Sequence, residues 1–131
     1  MRSILFVSLL FIVVSTRAQM NVSGKTFTAK TGESCKEMPD GGCTIKYFCS
    51  LTFGPDSVTV HNFTKASCTN KKLEAGYEKN LQDSKTYTYT ISNSIITIEN
   101  FDTYGTYEEK ENALIGKKGK AALTFEKSAI K

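Results

Sequence analysis

The sequence predicts an all-β fold: an antiparallel up-and-down barrel of about eight strands, carrying one short helix and two disulfides. Three observations predict it. Apolar and polar residues alternate in one short run after another, the period-2 signature of strands with one face in a core. Turn residues separate most of these runs by only two to four positions, which joins neighbouring strands antiparallel. Four cysteines, all between Cys35 and Cys68, sit in a chain that opens like an exported protein.

The opening sets the compartment. Arg2 precedes an apolar run from Ile4 to Val14 that only Ser8 interrupts, and Thr16 and Ala18 place small residues three and one before a cleavage point. This is the layout of a secretory signal peptide over residues 1–18, and the run is short for a bilayer span. The rest, 19–131, is expected to form a single barrel domain, secreted or periplasmic. It is long enough to bury roughly two thirds of its unfolded surface. The seventeen basic residues less Arg2 and Arg17 leave fifteen against thirteen acidic, a net +2. That near-neutral balance argues against a nucleic-acid partner, and the densest basic cluster, Lys117-Lys118-Gly119-Lys120, reads as a solvated turn. No later stretch is long and apolar enough to span a membrane.

The strands follow in order. Lys25 to Lys30 alternates, with Phe27 and Ala29 on one face. Cys43 to Phe53 alternates more clearly: Ile45, Tyr47, Cys49, Leu51 and Phe53 share a face, and Phe48 breaks the pattern. Gly54-Pro55-Asp56 turns the chain into Ser57 to Phe63, with Val58 and Val60 inward. Asn70 caps a short helix whose Leu73, Tyr77 and Leu81 recur on one face, although Gly76 weakens it by about 1 kcal/mol relative to Ala. Alternation resumes at Thr86 to Ser92, with Tyr87, Tyr89 and Ile91 inward. Turns at Asn93-Ser94, Asp102-Thr103, Glu111-Asn112 and Gly119-Lys120 then separate Ile95 to Phe101, Tyr104 to Lys110, Ala113 to Lys117 and Ala121 to Lys127. Ile96, Ile98, Leu123 and Phe125 are the expected core positions of the last strands.

Cys35, Cys43, Cys49 and Cys68 are separated by eight, six and nineteen positions, contain no C-x-x-C pair and match no common zinc pattern. In an exported chain an even count is expected to form two disulfides. With Gly54-Pro55-Asp56 as the hairpin loop, Phe53 faces Ser57 and Cys43 falls beside Cys68, so Cys43–Cys68 with Cys35–Cys49 is favoured. If the ladder ends early, Cys49–Cys68 with Cys35–Cys43 is the alternative.

Catalytic residues are not expected, nor is a cofactor or metal. The one histidine, His61, is out of phase with Val58 and Val60 and faces solvent. The acidic groups Glu99 with Asp102, and Glu108, Glu109 and Glu111, read as strand edges and turns. Glu74 and Glu78 lie on an exposed helix face. Two acceptor sequons, at Asn21 and Asn62, carry no functional weight. Binding is better supplied. Tyr47, Tyr87 and Tyr89 fall on inward faces, where phenols among apolar neighbours can line a small-molecule pocket.

With Val22-Ser-Gly-Lys-Thr-Phe27 at the start and Ala121-Ala-Leu-Thr-Phe-Glu126 at the end of the strand run, the chain resembles the small exported lipocalin-like (calycin) barrels of bacteria. Gly24 stands in the glycine place of that family's G-x-W, with Thr26 in place of the tryptophan. The resemblance implies a barrel that binds a small apolar ligand at its open end. The expected function is therefore a non-enzymatic exported binding protein for a small hydrophobic or amphipathic ligand. The alternative is a protein–protein module, such as an inhibitor of a secreted hydrolase, acting through a stapled Ser34 to Gly42 loop. An enclosed cavity favours the first; a filled core with a protruding loop favours the second.

Overall fold

The computed structural model describes residues 20–80, 82–101 and 103–128; the expected signal peptide, Leu81 and Asp102 lie outside the described residues. Eight strands are present: β1 (Thr26–Met38), β2 (Gly41–Phe53), β3 (Ser57–Cys68), β4 (Asp83–Ser92), β5 (Ile95–Ile98), β6 (Thr106–Lys110), β7 (Ala113–Lys118) and β8 (Ala121–Lys127). One helix, α1 (Lys71–Asn80), links β3 to β4. Each strand pairs antiparallel with the next, and β8 returns to β1, closing an all-β barrel.

Alternation fills the barrel. Phe27, Leu51, Val58, Ile96, Leu114 and Phe125 are each 0 % exposed and belong to one core. The opposite faces carry threonines that pair across strands, Thr26 with Thr52 at 3.1 Å and Thr59 with Thr86 at 3.2 Å. The segment before β1 closes one end. Gly24, at φ 77°, turns the chain so that its N–H donates to the Phe53 carbonyl at 2.8 Å, and Val22 and Met20 pack on the core. At the β4–β5 turn Asn93 and Ser94 both take positive φ, the backbone a two-residue hairpin needs to match strand twist.

The strands are unequal, and that shapes the molecule. β1 pairs with β8 only at Phe27 and Thr28, and β3 pairs with β4 only from Ser57 to Asn62. Past those points β1, β2 and β3 continue together as a three-stranded arm that ends in a two-residue turn, Pro39-Asp40. The β1–β2 register shifts between Lys30 and Gly32, where the arm leaves the barrel wall. Gly41 begins β2 at φ 120°, and a Cβ there would lie 2.4 Å from the Thr69 side chain, so only glycine fits. The Ser34 to Gly42 segment is thus a strand hairpin rather than a loop.

The register corrects the disulfide count. Phe53 faces Val58, one residue on from the expected Ser57, and this puts Cys43 directly opposite Cys68. Their Cα atoms are 4.1 Å apart and they form the disulfide. Cys35 and Cys49 are free, so one disulfide is found where two were expected. The reason is the pleat. Cys49 faces Ala29 inside the barrel at 3 % exposure, whereas Cys35 pairs with Thr44 one position out of phase and points to the outer face. Two thiols on opposite faces of a sheet cannot meet. The end of β4 departs as well: Ile91, expected inward, is 36 % exposed.

Candidate functional site

The arm has its own small core. Cys43, Ile45 and Cys68 are buried on its inner face, with Tyr47, Ala66, Leu73 and Tyr77 packed around them. Helix α1 covers this face from the β3 side. Asn70 caps it: its Oδ1 accepts from the N–H groups of Lys72 at 3.0 Å and Leu73 at 3.4 Å. Two carboxylates four residues apart then dock the helix on the edge of β3. Glu74 Oε2 accepts from the Cys68 N–H at 2.9 Å, and Glu78 Oε1 accepts from the Ala66 N–H at 3.1 Å. Thr64 Oγ1 donates to the Tyr77 carbonyl at 3.1 Å. The Cys68 N–H, and after it Lys71, hold the Glu74 carboxyl below the usual carboxylate range. Glu74 and Glu78 are therefore not the solvated face expected of them. They satisfy β3 backbone donors that β4 does not reach.

On its other side α1 borders a cleft of about 540 Å³, lined by Lys36 of β1 and by Lys72, Leu73, Gly76, Tyr77 and Asn80 of the helix. Leu73 and Tyr77 form an apolar floor. A Cβ at Gly76 would touch nothing within 4 Å, so the glycine leaves the middle of that floor open. Lys36 Nζ stands 5.2 Å from the centre of the Tyr77 ring. Among the described residues neither Lys36 nor Lys72 enters an ion pair, so both ammonium groups remain for an incoming anion. The helical recurrence of Leu73 and Tyr77 was visible in the sequence. The part played by Lys36 was not, because the arm half of β1 has no buried alternation.

The three tyrosines singled out from the sequence are not gathered into one cavity. Tyr47 lies in the arm, its hydroxyl 3.0 Å from Ser34 Oγ. Tyr89 lies in the barrel wall, its ring edge-on to Phe53 at 5.1 Å, and its hydroxyl donates to the Gly54 carbonyl at 2.8 Å. Tyr87 packs against Phe101 at 5.2 Å. The barrel interior does hold two polar groups, Cys49 and Tyr107. Burial pushes the Cys49 thiol up to about 11. It also raises the Tyr107 hydroxyl, with Cys49 and Tyr104 adding to the shift, and that hydroxyl has no hydrogen-bond partner among the described residues.

The remaining chemical candidates are separately engaged. His61 stacks on Phe63 at 5.3 Å on the outer face, and Phe63 stacks on Phe48, which accounts for the break in alternation at Phe48. Glu99 accepts from Thr88 Oγ1 at 2.6 Å, Glu108 pairs with Lys117 at 2.8 Å and Glu109 with Lys25 at 3.3 Å. No helix among the described residues is long and apolar enough to cross a membrane. No known protein family, curated protein or solved structure matches the chain.

Proposed function

We propose that this chain is an exported, non-enzymatic protein-recognition module, of the kind that inhibits or docks a secreted partner, and that its arm is the recognition element. The observation that carries this reading is a contrast within one sheet: the barrel interior is occupied by its own side chains, while the arm projects past it. The Cys43–Cys68 staple near the tip of the arm and α1 along it hold the hairpin in one conformation. A rigid hairpin loses little conformational entropy on binding, which favours affinity. The signal-like opening and the disulfide support export. The closed eight-stranded meander supports the lipocalin-like resemblance at the level of architecture, with recognition moved from the barrel to the arm.

A second reading, a small apolar ligand inside the barrel, is favoured by one observation, the unpartnered Tyr107 hydroxyl among core residues. Such a group ordinarily finds a partner. One pair of measurements separates the readings. A photo-crosslinking residue at Glu37 in the arm is expected to capture a discrete exported protein of the host, and the same residue at Thr90 on the barrel wall is not. Native mass spectrometry of protein from its host is expected to show no small-molecule adduct. An adduct that survives partial unfolding of the arm overturns the arm reading in favour of the barrel.

A further inference from the structure

The arm has two edges, and the fold treats them differently. Past Asn62, β3 loses β4, and its Ala66 and Cys68 N–H groups are taken up by Glu78 and Glu74 of α1. Past Thr28, β1 loses β8, and among the described residues it pairs from Gly32 to Met38 with β2 alone. Alternate backbone groups along that stretch point away from β2, with no strand among the described residues to receive them. An open edge of this length is normally covered or blunted, because it templates further strand pairing.

The side chains along this edge select what can pair with it. Lys36 shares the inner face with Cys43, its partner in the register, and lines the cleft beside α1. Glu33 and Glu37 are exposed one position out of phase, on the outer face with Cys35; Glu33 is ion-paired with Lys30, whereas Glu37 enters no ion pair among the described residues. A strand added here meets the positive charge of Lys36 on its inner side and the negative charge of Glu37 on its outer side. Like charges directly opposite on a sheet are unfavourable, and opposite charges are favourable. The helix supplies a further sign. Gly76 sits inside α1 with ordinary helical φ and nothing near its missing Cβ, so neither backbone conformation nor packing among the described residues calls for glycine. Glycine at such a position weakens a helix by up to about 1 kcal/mol relative to Ala. What it provides is room above Leu73 and Tyr77.

Resting on the protein-recognition reading above, we infer that the free edge of β1 from Gly32 to Met38 takes an extended peptide segment of the partner as an added strand. The inner face of that segment carries an acidic residue against Lys36 and an apolar residue in the cleft over Gly76. Its outer face carries a basic residue against Glu37. Main-chain hydrogen bonds supply affinity, and alternate side chains supply the choice of sequence.

The test is selection of a displayed library of linear nine-residue peptides on the intact mature protein. Enriched peptides are expected to alternate acidic or apolar residues with a basic one. Their affinity is expected to fall at least tenfold with Gly76→Leu, which fills the cleft, and with Lys36→Glu. It is expected to fall as far when alternate peptide nitrogens on one edge are methylated. Gly76→Ala, which takes only one methyl group's worth of that room, is expected to weaken binding far less than Gly76→Leu and shows that the helix tolerates substitution. Enrichment that ignores Gly76→Leu, or peptides indifferent to methylation, overturns the inference. So does saturable binding of oleate that Gly76→Leu abolishes when no peptide is enriched, since the occupant is then a small amphipathic anion. If the Glu37 crosslink to a host protein persists in Gly76→Leu while peptide selection fails, protein recognition stands and edge addition does not. If both fail, the underlying reading fails with it.

Discussion

The barrel and the arm share β1, β2 and β3, yet different forces hold their two halves. In the barrel, side chains from all eight strands and from the segment before β1 meet in a common interior, and residues such as Phe27 and Phe125 are wholly removed from water. In the arm, the inner face of the same strands meets, among the described residues, only a ten-residue helix that buries none of its own residues completely. A disulfide and two carboxylate-to-backbone contacts make up the difference. Closing a sheet removes its edges; extending three strands beyond the closure restores two. One of those is covered by α1, and among the described residues the other is not covered.

The largest expected effect tests whether the barrel is where stability resides. Phe125→Ala removes a fully buried ring and should cost about 3 to 5 kcal/mol, as aromatic truncations in cores do. Leu73→Ala, at the half-exposed helix of the arm, should shift the urea midpoint by less than half as much. Equal shifts would mean that the arm core supports the whole fold.

Next in size is the staple. Replacing both Cys43 and Cys68 with alanine frees a loop spanning 25 positions, and chain entropy puts the loss at about 3.5 kcal/mol. Native-state hydrogen exchange should locate the loosening in the arm, beginning with the Ala66 amide, while the amides of Leu114 and Phe125 stay protected relative to global unfolding. Uniform acceleration across both regions would erase the distinction between them.

The legibility of the two regions follows the same physics. Barrel strands announce themselves because burial of one face imposes period 2, and Phe27, Val58, Val60, Ile96, Ile98 and Phe125 all lie inside as their pattern indicates. The arm half of β1 is silent because Lys30 to Met38 has no buried residue, so a 13-residue strand reads as a short strand followed by a loop. That silence hides the face of Cys35, and with it the reason Cys35 cannot reach Cys49. The Cys43–Cys68 pairing was recoverable because it needs only the β2–β3 register, and an error of one residue there brought the two positions no farther than neighbours. Glu74 and Glu78 show i,i+4 spacing in sequence, but their acceptor role depends on where β4 stops pairing with β3. No local pattern carries that.

Alkaline titration sharpens the contrast between the two free thiols. The Cys49 thiol is pushed up to about 11 in the folded barrel from 9.0 in the open chain. Between those values the unfolded chain releases this proton and the folded one keeps it, so unfolding is favoured as pH rises. Stability is unaffected by this group below pH 9 and falls at up to about 1.4 kcal/mol per pH unit toward 11. Urea midpoints at pH 8, 9 and 10 should show the slope in the parent and a flatter one in Cys49→Ala. In the native state at pH 8, iodoacetamide should modify exposed Cys35 readily and buried Cys49 only on unfolding. Two thiols labelled at equal rates would place Cys49 outside the core.

The smallest expected effect bears on whether arm and barrel unfold as one unit. Gly76→Ala adds a methyl group that meets nothing within 4 Å, at a helix position with no positive φ. It should stabilise α1 by about 0.5 to 1 kcal/mol, partly by restricting the unfolded chain. If α1 opens without the barrel, that gain slows exchange at the amides of Tyr77 and Glu78 by up to about fivefold and leaves the urea midpoint where it was. If α1 opens only with the barrel, the midpoint rises by the full amount and exchange slows in Leu114 and Phe125 as well. The first outcome is expected, because the helix is joined to the rest through half-exposed Leu73 and Tyr77 and through hydrogen bonds to a single strand edge. Those attachments are few and lie near water, the conditions under which a segment opens on its own.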